Sequence, residues 1–115
     1  MKVIVDAFGG DNAPLEVIKG CAEAASDLGV NIILTGNEKV IKKCASDNGI
    51  SLSGMEIVHT EEIFDIHDEP NEIIKSKKNT SLGLGLQLLA EGEGDAYVCA
   101  GSTGALVMGA TFIVK

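Results

Sequence analysis

Two segments of this chain share one layout, in which a β-branched strand runs into a glycine turn and then into the start of a helix. Near the amino terminus, residues 2–6 are typical of a buried strand, and Gly9 and Gly10 allow the backbone to turn with positive φ. Asp11 or Asn12 is placed to cap the helix that follows. The free N–H groups of such a turn and helix start point at one spot and favour a phosphate or carboxylate there.

The second segment of this type lies near the other end of the chain. Residues 95–100 read as a strand, residues 101–104 as a turn, and Ala105 begins an apolar helix that Ser102 or Thr103 could cap. If the two strands are parallel, both turns lie at the carboxyl edge of one sheet. That edge is where open α/β sheets bind their ligands.

Between these two segments, helical and strand patterns alternate. The predicted elements are a helix over 15–28 ending at Gly29, a strand over 30–34, a helix over 38–46, a strand over 55–58, a short helix from Pro70 to Lys78 and a helix over 80–91. The last is assigned as a helix because its cap and the need for a crossover outweigh two internal glycines, each costing about 1 kcal/mol. The predicted fold is therefore α/β, a three-layer αβα arrangement with a mainly parallel, Rossmann-like sheet.

Length and composition limit the classes of protein to consider. A chain of 115 residues with 45% apolar content is the size of one domain, and its end in an apolar run at 111–115 is typical of a piece of a larger fold. A net charge of −8 argues against nucleic acid as a partner. The three cysteines lack a CxxC pair, which indicates reduced thiols in a cytoplasmic protein without a zinc site. No signal peptide or membrane span is visible, and peripheral membrane contact stays open.

Several motifs occur in an order that resembles a known family. They are DAFGGDNAP at 6–14, DEP at 68–70, KSKK at 75–78, GDA at 94–96 and AGSTGA at 100–105. Together they resemble the PlsX family of bacterial phosphate acyltransferases, which move a fatty acyl group from acyl-carrier protein to inorganic phosphate, giving acyl phosphate for phospholipid synthesis. Phe8 stands where the family usually has methionine, and Ser102 where it usually has asparagine.

The resemblance covers the whole chain but only the amino-terminal part of a family member. It implies that residues 1–115 are the amino-terminal portion of a larger α/β acyltransferase whose carboxyl-terminal part is absent, and that this portion alone is weak or inactive. It also implies a fold of the isocitrate dehydrogenase and phosphate acetyltransferase type and a homodimer. The location implied is cytoplasmic, with contact at the inner face of the membrane left open. The implied partners are acyl-carrier protein and inorganic phosphate, and no metal or organic cofactor is required.

The resemblance and the two turns together assign site residues. The phosphate-binding set is Asp6, Gly9, Gly10, Asp11, Asn12, Gly101 and Gly104, and the catalytic set is Lys75, Lys78, Ser102 and Thr103. Phosphate attacks the thioester directly, so no protein nucleophile is needed. Backbone N–H groups and a lysine would place the phosphate, and donors at 102–104 would stabilise the oxyanion. Lys77 is expected to be the outward lysine of its cluster.

Simpler interpretations stand beside these assignments. Each glycine turn is also explained as a tight, capped connection, and the lysines as a solvated face. The acidic stretch 61–69, with His67, is better explained as a solvated loop than as a metal site. His59 is interpreted as a strand-edge residue and Cys99 as a small core residue.

Two other functions remain open at this point. One is a dehydrogenase or a phosphate acetyltransferase-like enzyme, since those folds share the layered architecture and the anion-binding turns. The chain does not carry a full GxGxxG fingerprint or a P-loop. The other is a non-catalytic domain that senses a nucleotide or another anion.

Overall fold

Strands and helices alternate along the chain in the computed structural model, which describes residues 1–10, 12–63, 68–75, 77–101 and 103–114. The elements are β1 (Lys2–Asp6), α1 (Leu15–Leu28), β2 (Asn31–Gly36), α2 (Glu38–Asp47), β3 (Met55–His59), a 3₁₀ turn (Pro70–Ile74), α3 (Ser81–Ala90), β4 (Ala96–Val98), α4 (Thr103–Gly109) and a π-helical turn (Ala110–Val114). The predicted order of elements is confirmed.

The four strands form one parallel sheet in the order β3-β2-β1-β4. Val3 lies beside Ile32 of β2 on one side and beside Ala96 of β4 on the other. Successive side chains of a strand point to opposite faces, so residues of β1 contribute to both sides of the sheet. The predicted α/β class with a parallel, Rossmann-like sheet is confirmed, while the closer likeness to the isocitrate dehydrogenase type stays a prediction.

Helices cover both faces of the sheet and give it two separate cores. On one face, α1 and α2 pack against β1 and β2 through buried aliphatic side chains, among them Val5, Ile18, Ile32, Leu34 and Ile41. On the other face, α3 and α4 form a smaller core with Ile73, Leu82, Leu86 and Ala105. This is the three-layer arrangement that the alternating pattern predicted.

Two local predictions are wrong. The helix expected from Pro70 to Lys78 is a 3₁₀ turn that stops at Ile74, because the Lys75 backbone leaves the helical region at φ −122° and ψ −105°. The second is the side-chain cap of α1 at Asn12, one of the two residues predicted to provide it; the other, Asp11, lies outside the described residues. Pro14 occupies the cap position without a side-chain hydrogen bond, and the Asn12 carbonyl instead accepts from the Glu16 N–H at 3.1 Å.

Strand boundaries shift by one or two residues from the predicted ones. The strand predicted over 30–34 spans Asn31–Gly36, and that over 95–100 is reduced to Ala96–Val98 because its described pairing partners are only the three residues Val3, Ile4 and Val5. α1 ends before Gly29, whose left-handed φ of 66° matches the predicted stop. None of the helices in the described ranges is long and apolar enough to cross a membrane.

The start of α3 is held by Thr80, which is fully buried. Its hydroxyl donates to the Lys77 carbonyl at 2.7 Å and accepts from the Gly83 N–H at 3.2 Å, which confirms the predicted cap.

Because Thr80→Val keeps the shape of the side chain but removes both hydrogen bonds, it should lower the free energy of unfolding by about 1–2 kcal/mol in a urea titration. Thr111→Val, at an exposed hydroxyl that donates only to the Val107 carbonyl, is the control and should change it by less than about 0.5 kcal/mol. Equal losses in the two variants would contradict this role.

Candidate anion-binding site at the carboxyl edge of the sheet

The two glycine turns meet between β1 and β4, where the order of the strands in the sheet reverses. The chain passes from β1 outward to β2 and β3, then returns to place β4 on the other side of β1. The connections after β1 and after β4 therefore leave the sheet in opposite directions and open a crevice at its carboxyl edge. This confirms the expectation that both turns share one edge.

Glycine at these positions allows the two turns to touch through their backbones. A Cβ added at Gly9 would lie 3.0 Å from the Gly101 nitrogen and 3.3 Å from the Ala100 nitrogen. Gly10, with φ at 97°, lies equally close to Ala100, whose Cβ would be 3.2 Å from an added Cβ. Any side chain at Gly9 would push the turns apart, so the crevice depends on glycine there.

Asp6 lies beneath this contact and is only 3% exposed. Its Oδ1 accepts from the Phe8 N–H at 3.0 Å, and its Oδ2 lies 3.6 Å from the Cys99 sulfur, which can donate to it. Burial raises the pKa of this carboxyl, and the neighbouring Ser81, Phe8 N–H and Cys99 lower it by smaller amounts. The carboxyl is buried and stabilises the first turn through its hydrogen bond with the Phe8 N–H.

The backbone N–H groups of the two turns differ in their availability. The Gly101 N–H donates to the Cys99 sulfur at 3.3 Å, and the Gly9 N–H makes a long bond of 3.5 Å to the Asp6 carbonyl. Gly10 is exposed, and within the described part of the chain its N–H donates to no acceptor. Among the described residues of the two turns, Gly10 therefore has a donor open to an anion.

Cys99 follows β4 directly and faces Asp6. Burial raises the pKa of its thiol to about 11, and the bond from the Gly101 N–H offsets part of that rise. A thiol with such a pKa stays protonated at neutral pH and is a poor nucleophile. The geometry agrees with the interpretation of Cys99 as a small packing residue.

The lysine cluster is less uniform than its sequence indicates. Lys77 forms an ion pair with Asp68 at 3.8 Å and is half-buried, whereas Lys75 and Lys78 are exposed, so the expectation that Lys77 points outward is wrong. Lys78 lines a cavity of about 250 Å³ with Phe112 and Ile113, away from the two turns. The site roles of Lys75 and Lys78 stay predictions.

The structure places only some of the other predicted residues. Asp11 and Ser102 lie outside the described residues, as do Asp65 and His67 of the acidic loop. Thr103 and the exposed Gly104 begin α4 directly after the second turn. His59 ends β3, as expected, and its Nδ1 accepts from the Glu38 N–H at the start of α2 at 3.0 Å.

Two residues near the site were not predicted to lie there. Ser81, the first residue of α3, is 1% exposed and lies close enough to Asp6 to lower its pKa, although its Oγ makes no hydrogen bond of standard geometry. Tyr97 of β4 donates its hydroxyl to the Leu82 carbonyl at 3.1 Å, and burial raises its pKa. The sequence predicted a helix cap at 79–81, but nothing in that pattern indicated that Ser81 lies near Asp6.

The raised pKa of Asp6 predicts a pH effect on stability. A carboxyl with a raised pKa binds its proton more tightly when folded, so its contribution to stability is complete below the unfolded pKa of about 4 and is lost as pH rises through the folded pKa. Asp6→Asn keeps an acceptor for the Phe8 N–H and removes the charge. Relative to the unchanged chain, its free energy of unfolding should rise as pH increases above about 4, measured by urea titration. If the free energy of unfolding changed with pH in the same way in both proteins, the raised pKa of Asp6 would be contradicted.

Comparison with known proteins decides the family. The family model described as fatty acid synthesis protein matches residues 1–115, which is the whole chain. The chain belongs to this family. The resemblance to the PlsX phosphate acyltransferases is thereby confirmed, because the curated relatives in this family carry that name.

Those relatives are similar along the full length of the chain. Proteins named phosphate acyltransferase from Clostridioides difficile, Caldicellulosiruptor saccharolyticus and Thermotoga maritima are 40%, 44% and 41% identical to this chain. Each alignment covers 99% of this chain. The same alignments cover 34%, 34% and 32% of the relatives. The chain therefore spans about a third of the length of the curated relatives that it matches.

Proposed function

We propose that this protein takes part in the transfer of a fatty acyl group from acyl-carrier protein to inorganic phosphate, giving acyl phosphate for phospholipid synthesis. The observation that carries the proposal is the crevice at the switch point of the sheet, where Gly9 and Gly10 touch Ala100 and Gly101. Membership of the fatty acid synthesis family and relatives named phosphate acyltransferase support the same reaction.

The reaction requires placement and charge stabilisation rather than a protein nucleophile. A phosphate oxygen attacks the thioester carbonyl carbon, the carbonyl oxygen takes the charge of the tetrahedral intermediate, and the carbon–sulfur bond then breaks. The products are acyl phosphate and the carrier's thiol, which takes up a proton. Because both reactants are anionic or attached to an acidic carrier, a site with N–H donors is needed to hold them together.

The described residues offer a role for each turn in this scheme. The exposed Gly10 N–H is suited to hold a phosphate oxygen. Asp6, buried below, fixes the first turn through the Phe8 N–H and does not contact the anion itself. Thr103 and Gly104, which begin α4 across the crevice, are the proposed source of oxyanion donors.

The proposal extends to partners and location. Acyl-carrier protein and phosphate are the proposed substrates. Lys75 or Lys78 is the proposed lysine that holds the phosphate, and the cluster of Lys75, Lys77 and Lys78 is the proposed contact for the acidic carrier. A homodimer in the cytoplasm, touching the inner face of the membrane peripherally, completes the proposal. The weak activity expected of residues 1–115 alone is part of it, because further catalytic groups would lie in the part of the relatives that this chain does not match.

The test is trapping of acyl phosphate as its hydroxamate with hydroxylamine. Three samples are compared: this chain, the Clostridioides difficile relative, and a chimera in which this chain replaces the matched third of that relative. Phosphate-dependent hydroxamate from the chimera, measured against a reaction without phosphate, would support the proposal. A folded chimera that forms none, beside an active relative, would refute it.

A further inference from the structure

Cys99 lies where the pairing of β1 with β4 passes from backbone to side chains. The parallel register pairs Val5 with Val98, and the described residues show no further backbone pair between the two strands. Asp6 and Cys99 come next in the same register, so their side chains point to the same face of the sheet. The Cys99 sulfur lies 3.6 Å from Asp6 Oδ2, a distance at which the thiol donates to the carboxyl. These two side chains therefore join the chain segments where the backbone ladder stops.

The thiol of Cys99 has a partner on the side of each turn. It donates to Asp6, whose other oxygen accepts from the Phe8 N–H at 3.0 Å, and it accepts from the Gly101 N–H at 3.3 Å. A thiol has one weak donor and one weak acceptor, so these two hydrogen bonds use both. The result is a continuous chain of hydrogen bonds from the first turn, through two side chains, to the second turn.

Asp6 gives this chain of hydrogen bonds a fixed end. The carboxyl is 3% exposed and bonded to the Phe8 N–H, and the buried Ser81 of α3 lies beside it. Burial raises the pKa of the Cys99 thiol to about 11, so at neutral pH the thiol keeps the proton that it donates. Because the carboxyl is held in this way, the position of the sulfur is determined from the side of the first turn.

The second turn lies in contact with both Cys99 and the first turn. A Cβ added at Gly101 would lie 3.4 Å from the Cys99 sulfur and 3.5 Å from the Gly9 Cα. A Cβ added at Gly9 would lie 3.0 Å from the Gly101 nitrogen, the same atom that donates to the sulfur. A displacement of the Gly101 N–H by a few tenths of an ångström therefore changes the spacing of the two turns directly.

We propose that Cys99 is a positioning residue, whose thiol joins Asp6 below the first turn to the Gly101 N–H of the second turn and thereby sets the distance between the turns. The role rests on the proposed acyl transfer, in which the first turn holds phosphate and the second turn leads into the donors for the thioester oxygen. The spacing of the turns then determines how closely the two reactants approach, which acts on kcat.

Three substitutions at Cys99 separate this role from simple filling of space. Cys99→Ser keeps a donor and an acceptor, Cys99→Ala removes both, and Cys99→Val removes both while filling the volume. A space-filling role predicts that alanine or valine is tolerated better than serine, because burying a hydroxyl costs more than burying a thiol. The hydrogen-bonded link predicts the reverse order.

Hydrogen exchange of the Gly101 amide in this chain, followed by NMR, tests the link itself. Exchange should be about fivefold faster or more in Cys99→Ala and Cys99→Val, because the acceptor is lost, and should stay within about twofold in Cys99→Ser. The Ala7 amide, which donates to the Thr35 carbonyl at 3.0 Å, is the internal control and should not change. Equal exchange of the Gly101 amide in the unchanged chain and all three variants would overturn the link, as would equal acceleration of both amides.

The same variants in the chimera test the positioning role in the reaction. Cys99→Ala should lower kcat for acyl phosphate formation by about tenfold while the KM for phosphate changes by less than about threefold. Cys99→Ser should keep kcat within about threefold of the unchanged chimera, which a residue that only fills space would not do. Cys44→Ala, which removes a thiol on α2, is the matched control and should leave both constants unchanged.

The two experiments distinguish failure of this inference from failure of the proposed function. An active chimera in which alanine or valine at Cys99 performs as well as serine would overturn the positioning role and leave acyl transfer intact. Slow Gly101 exchange that serine preserves and alanine loses, beside an inactive chimera, would support the link and refute acyl transfer.

Discussion

Replacing Gly9 with alanine is expected to lower kcat/KM for acyl phosphate formation by about 10- to 100-fold in the chimera, since small misplacements of reacting groups have effects of this size. The added methyl would lie 3.0 Å from the Gly101 nitrogen and 3.2 Å from Asp6 Oδ2. These neighbours are backbone and a braced, buried carboxyl, so the turns must separate by a few tenths of an ångström. The hydroxylamine assay gives the rates, and circular dichroism checks that the variant folds.

Gly101→Ala is the comparison variant, because it adds a methyl to the other side of the same contact. That methyl would lie 3.4 Å from the Cys99 sulfur and 3.5 Å from the Gly9 Cα, which are ordinary contact distances. Its loss of activity should be clearly smaller than that of Gly9→Ala. A Gly9→Ala chimera with unchanged kcat/KM would show that the close approach of the turns has no part in the reaction.

Replacing Gly83 with alanine is expected to lower the free energy of unfolding of the chain by about 2 kcal/mol or more, as overpacking of a rigid site does. A Cβ at this position would overlap the Lys78 carbonyl oxygen and lie 2.9 Å from that of Lys77. Both carbonyls are held by hydrogen bonds, from the Gln87 amide at 2.6 Å and the Thr80 hydroxyl at 2.7 Å, so the turn before α3 cannot move aside cheaply. Urea unfolding followed by circular dichroism measures the change.

Gly20→Ala is the matched control, since it is also a glycine inside a helix. Nothing lies within 4 Å of its added Cβ, so only helix propensity acts, and the variant should be more stable by about 0.5–1 kcal/mol. A loss of stability in Gly83→Ala beside a gain in Gly20→Ala would establish that close packing, and not helix propensity, determines the effect at Gly83. A Gly83→Ala protein as stable as the Gly20→Ala protein would contradict this packing.

Much of the fold was predictable because it depends on local patterns. The β-branched runs, the helical spacing of α1 and the glycine after it define elements within a few residues of one another in sequence. The alternation of strands and helices then implies a parallel sheet, since parallel strands need crossovers. The cap at Thr80 was predictable for the same reason, because its hydrogen bonds join positions only three residues apart.

The candidate site was predictable only in part. Sequence motifs placed Gly9, Gly10 and Gly101 in turns at one edge, but they could not show that the turns touch, or that the Gly101 N–H is already bonded to Cys99. They also predicted that Lys77 points outward. In the structure it instead forms an ion pair with Asp68, nine positions earlier in the chain.

The order and type of the elements, the two glycine turns and the family follow from local patterns and motifs in the sequence. The burial of Asp6 beside Cys99, 93 residues away, and the position of the apolar stripe of α1 at a groove beside β4 depend on the three-dimensional arrangement of the chain. The reason is physical. Backbone propensity and side-chain period act over one or two turns of chain, whereas burial, pKa and cavity shape depend on which strands become neighbours in the sheet.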